Sequence, residues 1–216
     1  MMEIYKDREQ AGQLLANKLS AYSDSPCVVF GIPRGGVVVA AQIAQHLNCR
    51  LDIVAPRKLG APQDPEYAIG AVCSWGPETF INEHAVNALR ISPEYVRSET
   101  ALQMEEAKRR LLLYRGSFDP PDLANEVAIV VDDGVATGYT TRAALASIRR
   151  CRPLKLILAI PVGAPDSVLA LRSYADEIIC PMQPSSFRAV GNWYKYFDQT
   201  SDDEVIAILR KMGRLQ

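Results

Sequence analysis

Five apolar residues, Val127-Ala128-Ile129-Val130-Val131, run into the carboxylates Asp132 and Asp133, and no other stretch constrains this chain's fold as strongly. The run is mostly β-branched and too short for a buried helix, so it suits a strand covered on both faces. Gly134 and Gly138 then bracket a short loop, and beyond Thr141 the residues Arg142 to Arg150 read as helix. A strand buried on both faces belongs in a parallel sheet, whose neighbouring strands must be reached by crossovers.

The same unit occurs near the start of the chain. Cys27 to Ile32 reads as a buried strand, followed by Pro33-Arg34-Gly35-Gly36 and a helix of small residues through about His46. Leu51 to Ala55, Leu154 to Ile160 and Glu177 to Cys180 read as further core strands, with a helix over Asp166 to Tyr174. Strands alternating with helices predict one α/β domain over residues 1–216, with a central parallel sheet and right-handed crossovers. Its core is expected at about 27–60 and 120–182. Residues 61–116 form an insertion or lid, and 185–213 an aromatic segment and a last helix.

Smaller signals fill in the rest. Asp7 caps a helix with Ala11, Leu15, Leu19 and Tyr22 on one face, ended by Ser23-Asp24-Ser25-Pro26. Ala61 to Glu66 is proline-rich and polar, suiting a mobile loop or the start of a lid. Tyr67 to Trp75 and Glu78 to Asn82 read as two strands joined by a turn at Gly76-Pro77. Ser92-Pro93-Glu94 starts a long helix that Gly116 stops, with Val96, Thr100, Met104, Ala107, Leu111 and Tyr114 on its inner face. Its Glu105, Glu106, Lys108, Arg109 and Arg110 are expected to pair at i,i+4 on the exposed face. Ser201 to Glu204 is a capping box that opens the final helix.

The chemistry lies in the loops. A glycine loop opening a helix leaves backbone N–H groups that converge on a phosphate. Charge-assisted hydrogen bonds are worth about 1.5–3 kcal/mol each and the helix dipole only about 0.3–1 kcal/mol, so the amides do most of the holding. Thr137, Thr140 and Thr141 add hydroxyl donors. Two carboxylates beside a phosphate site need a ligand that offers donors, and a sugar cis-diol near a 5′-phosphate supplies them. Arg34, and Arg57 with Lys58 after the Leu51 to Ala55 strand, are expected to face the same crevice at the carboxyl ends of the strands. Neither turn carries a G-x-G-x-x-G or a P-loop lysine.

The stretch Asp132-Asp133-Gly134-Val135-Ala136-Thr137-Gly138-Tyr139-Thr140 resembles the phosphoribosyl-diphosphate (PRPP) loop of the type I phosphoribosyltransferases. The resemblance implies that Asp132 and Asp133 hold the ribose hydroxyls and that residues Gly134 to Thr141 wrap the 5′-phosphate. Pro33, Arg34, Gly35 and Gly36 stand where that family holds the pyrophosphate, commonly through an unusual peptide geometry. Arg34 and Lys58, with Mg²⁺ bound mainly through the substrate, would neutralise the departing pyrophosphate, and Arg57 would assist. The implied reaction is phosphoribosyl transfer from PRPP to a nitrogenous base; a PRPP- or nucleotide-binding regulator of the same fold is the alternative. Val162 and Trp193 are the residues expected on the base side, while Phe187, Tyr194, Tyr196 and Phe197 pack the tail onto the sheet. In hypoxanthine-guanine members an aspartate precedes the loop's Thr-Gly, and Ala136 stands there, which argues against a 6-oxopurine. The adenine enzymes are more similar, at Asp132 to Gly138 and at Arg57-Lys58-Leu59-Gly60.

Composition narrows the partners. A formal net charge of -1, from 24 basic and 25 acidic residues, offers no attraction to nucleic acid or an acidic membrane. Five cysteines without a C-x-x-C pair suit reduced thiols in the cytoplasm. No apolar stretch approaches the length of a membrane span. His46 and His84 lack companions at metal-ligand spacing. A homodimer is an assembly that the resemblance allows.

Overall fold

The computed structural model describes residues 4–23, 25–73, 75–76 and 79–213. Five parallel strands form the main sheet: β1 (Cys27–Gly31), β2 (Arg50–Ile53), β6 (Val127–Val131), β7 (Lys155–Ala159) and β8 (Glu177–Ile179), in the order β2-β1-β6-β7-β8. A second, antiparallel sheet runs β3 (Pro56–Gly60), β4 (Ala68–Cys73), β5 (Thr79–Ile81). The helices are α1 (Arg8–Lys18), α2 (Gly35–Leu47), α3 (Glu83–Ala88), α4 (Pro93–Arg115), α5 (Tyr139–Arg150), α6 (Pro165–Leu171) and α7 (Asp202–Lys211).

Every residue of β1 and of β6 is buried, as expected for strands covered on both faces. They pair in register, Cys27 opposite Val127 and Gly31 opposite Val131. From β1 the chain crosses through α2 to β2 on one side; from β6 it crosses through α5 to β7 on the other. Strand order therefore reverses between β1 and β6, and the carboxyl ends of these two strands flank a crevice of the kind where open parallel sheets bind ligands.

The helix boundaries follow the local signals. Asp7 and Ser92 accept hydrogen bonds from the backbone N–H groups of Gln10 and Tyr95, Gly116 closes α4 at φ 70°, and Ser201 and Glu204 form a reciprocal capping box. Ala107, Leu111 and Tyr114 of α4 are buried. Its charged face pairs chiefly at i,i+3, Lys108 with Glu105 and Arg109 with Glu106, whereas Arg110–Glu106 is i,i+4. Asp52 of β2 and Arg115 of α4 make a buried ion pair of 2.9 Å, with each side chain only 5 % exposed.

One expectation fails. Pro56 to Gly60, expected to end the Leu51 to Ala55 strand within the core, is a strand of the second sheet, paired with β4. Val54 and Ala55 make the break between the sheets, and Leu59 anchors a small separate apolar cluster with Ala61, Ile69, Val72 and Ala85. Residues 56–60 thus belong with the 61–116 segment by packing, and α5 lies between the two sheets. Of the expected hairpin, Pro77 and Glu78 lie outside the described residues, as does Asp24 after the first helix. No helix among the described residues is long and apolar enough to cross a membrane.

Candidate active site

The loops that follow β1 and β6 lie side by side at the switch point. Gly35 and Gly36 open α2 directly against the acidic pair: a methyl on Gly35 would fall 2.0 Å from Asp133 Oδ2, and one on Gly36 would fall 2.8 Å from the Val131 carbonyl oxygen. Only residues without a Cβ permit this approach. The peptide bond between Pro33 and Arg34 is cis.

Asp132 Oδ1 accepts a hydrogen bond of 2.9 Å from the backbone N–H of Asp133. Both side chains are partly buried. Burial, and then the neighbouring Asp133 charge, pushes the Asp132 carboxyl well above the usual carboxylate range. Burial also raises Asp133, while Arg8 opposes the rise. The Arg8 guanidinium reaches Asp133 from α1, with Nε 2.8 Å from Oδ2. Tyr194 Oη donates to the Asp133 carbonyl oxygen at 2.5 Å.

The loop after the acidic pair is tied to its neighbour. Val135 donates to the Val162 carbonyl, Ala164 donates to that of Val135, and Ser167 Oγ donates to that of Ala136 at 2.6 Å. Gly138 takes φ 78° and caps α5, leaving the N–H groups of Tyr139, Thr140 and Thr141 in its first turn without intrahelical acceptors. Thr137 is exposed and Thr140 half-buried, whereas Thr141 is buried, so only the first two present hydroxyls at the loop surface. A cleft of about 200 Å³ lies beside the loop, between Thr137, Tyr139, Arg142, Asp166 and Ser167. A larger cavity, of about 610 Å³ by Trp75, Phe118 and Arg152, lies away from these loops; here chemistry rather than cavity size locates the site.

The expected cations divide. Arg34 stands at the head of α2, with Nη1 3.8 Å from Asp202 Oδ1, which also accepts from Tyr114 Oη. Arg57 Nε donates to Gln103 on α4 at 3.0 Å. Alternation along β3 sends Lys58 to the other face, where Nζ binds Glu66 through the carbonyl at 3.0 Å and Oε2 at 2.9 Å. The expectation that both would join Arg34 placed them just beyond the carboxyl end of a core strand, whereas they lie within β3, and a strand cannot turn adjacent side chains the same way.

The base-side expectations change as well. Val162 is fully buried beneath Gly134, where Val190 closes the space above: a methyl on Gly134 would lie 2.5 Å from Val190 Cγ1 and 3.1 Å from Val162 Cγ1. Trp193 stacks on Phe187 with ring centroids 6.5 Å apart, and its buried Nε1 lacks an acceptor among the described residues. Tyr194 and Phe197 stack at 4.9 Å, and the tail is bound to the chain start by hydrogen bonds between the backbones of Tyr5 and Trp193 and of Lys195 and Tyr5. Arg8, Val190 and Tyr194 have no expected place at the acidic pair. In the sequence Arg8 reads as an ordinary first-turn residue, and the aromatic cluster is the one hint of the tail's position.

Residues 2–192 match the family described as "Phosphoribosyl transferase domain". "Putative phosphoribosyl transferase Rv0571c" of Mycobacterium tuberculosis is 39% identical over 213 residues, 99% of this chain but 48% of that protein, so the chain spans about half the length of the curated relatives it matches. The crystal structure of TT1426 from Thermus thermophilus superposes with a TM-score of 0.78 at 37% identity, covering 97% of this chain and 99% of that one. The purine phosphoribosyltransferase of Pyrococcus horikoshii, at 15% identity, 93% and 98% coverage and a TM-score of 0.52, shares the fold.

Proposed function

The chain belongs to the phosphoribosyl transferase domain family, and on that premise we propose that it transfers the 5-phosphoribosyl group of PRPP to a nitrogenous base, with release of pyrophosphate. The observation that carries this reading is the contact of the Gly35-Gly36 turn with the acidic pair at the switch point of the sheet. It puts a cationic loop and two carboxylates within the span of one phosphorylated sugar.

In this reading Asp132 and Asp133 accept hydrogen bonds from the ribose hydroxyls. The first-turn amides of α5, with Thr137 and Thr140, hold the 5′-phosphate. Arg34 exchanges its weak contact with Asp202 for the pyrophosphate, since a half-exposed pair at 3.8 Å is worth about 0–1 kcal/mol. Lys58 joins from β3 on leaving the exposed Glu66 carboxylate. Mg²⁺ would be carried mainly on the phosphates of the substrate, where it shields their charge. Displacement at C1 needs positioning and charge neutralisation more than covalent help. Ala136 contributes no functional group to acceptor choice.

Calorimetry with PRPP and Mg²⁺, followed by pyrophosphate release against a panel of bases and amines, tests the reading. Binding that is abolished in the Asp132→Asn, Asp133→Asn double variant, with release by at least one acceptor, is the expected result. Absence of PRPP binding refutes it, and binding without release by any acceptor makes the chain a sensor of PRPP instead.

A further inference from the structure

We propose that Arg8 is a positioning residue for Asp133, fixing that carboxylate as a charged acceptor, so that the first helix is part of the sugar site; this rests on the reading of the acidic pair as the ribose holder. Arg8 lies 125 positions from Asp133 in sequence, yet its guanidinium is held from three sides. Nε is 2.8 Å from Asp133 Oδ2, Nη1 donates to the Asp198 carbonyl at 2.7 Å, and Cζ stands 3.9 Å from the centre of the Phe197 ring. The two side chains are only 12% and 16% exposed. A planar guanidinium fixed by a carbonyl and a ring face cannot follow the carboxylate elsewhere, so the carboxylate is held to it.

The surroundings are built around this pair. Gly35 leaves the room it needs, because a methyl there would lie 2.6 Å from Arg8 Nε. The tail that supplies Asp198 and Phe197 is itself bound to the chain start, through Tyr5–Trp193, Lys195–Tyr5 and Tyr196–Lys6 backbone hydrogen bonds. The charged and titratable groups around Asp133 are Asp132 beside it, Arg8 from α1 and Tyr194 from the tail, with Glu204 of α7 acting on Arg8. Burial disfavours the ionised pair and Asp132 adds a like charge; Arg8 is the cation that opposes both. A diol donates its hydrogen bonds to ionised carboxylates, so removing Arg8 should raise the pH below which PRPP is lost.

The test is calorimetric binding of PRPP with Mg²⁺, from about pH 5 to about pH 8, to the wild type and to Arg8→Lys, Arg8→Gln and Arg8→Ala. Gln and Ala should bind about tenfold more weakly at pH 7, with the acidic limb moved up by roughly one pH unit or more, while Lys keeps the limb near its wild-type position. Should Ala fail to fold, the Lys and Gln pair decides, because both keep a hydrogen-bonding chain and only one keeps the charge. An unmoved limb, or equal behaviour of Lys and Gln, overturns the proposal in favour of packing alone. Tighter binding without Arg8 overturns it in favour of a competing counter-ion. No binding by the wild type refutes the ribose reading itself, whereas wild-type binding with an unmoved limb refutes only the role of Arg8.

Discussion

Replacing Gly35 by Ala tests whether the two loops meet as described. The added methyl would lie 2.0 Å from Asp133 Oδ2, 2.6 Å from Arg8 Nε and 2.9 Å from Asp133 Cγ, where ordinary contact begins at 3.4 Å. The carboxylate must therefore withdraw by more than an ångström, which carries it beyond hydrogen-bonding range of Arg8. Overpacking costs about 1–3 kcal/mol and a lost charge-assisted hydrogen bond about 1.5–3 kcal/mol. Since yielding of the ion pair is what relieves the clash, the two costs overlap rather than add, and a loss of about 2–3 kcal/mol is expected. The distinctive outcome is a coupling. In an Arg8→Ala background the carboxylate is free to swing away, so the same Gly35→Ala change should cost at least about 1 kcal/mol less. Urea unfolding of the wild type, both single variants and the double variant measures this directly. A cost below about 0.5 kcal/mol, or additivity within that margin, would mean that Gly35, Asp133 and Arg8 do not form one packed unit.

The acidic pair should weaken the fold that carries it. Burial raises the folded-state pKa of Asp132, so the ionised form costs stability above that pKa, and the cost vanishes as pH falls and the carboxyl protonates. Asp132→Asn should accordingly unfold at higher urea than the wild type at pH 8, with the gain shrinking toward pH 4; a variant less stable at pH 8 contradicts the assignment. The buried Asp52–Arg115 pair should behave oppositely: Arg115→Ala leaves a buried carboxylate without its 2.9 Å ion-pair partner and should cost about 3–5 kcal/mol. A loss under about 1 kcal/mol by denaturant titration would refute the burial of that pair.

The main sheet is legible in the sequence because its strands are short β-branched runs, punctuated by glycine loops and followed by capped helices. Those signals act within a few residues, and the starts of α1, α4 and α7 fall where Asp7, Ser92 and Ser201 put them. Residues 56–60 read as the end of a core strand rather than as a strand of their own because a strand is recognised by its partner, and β4 lies beyond the polar segment 61–66. The pairing of Arg57 with Lys58 does not survive it, since strand alternation sends the two side chains apart, Arg57 to Gln103 and Lys58 to Glu66.

The sequence by itself determined the parallel sheet, the acidic pair at the end of β6 and the glycine-bracketed loop that opens α5, each a matter of local chemistry and spacing. Tertiary structure alone decided what surrounds them. Arg8 from one end of the chain and Val190 and Tyr194 from the other meet at Asp133 and Gly134, and no local pattern marks them. Their places follow from packing between segments far apart along the chain, a contact that periodicity and capping rules cannot encode.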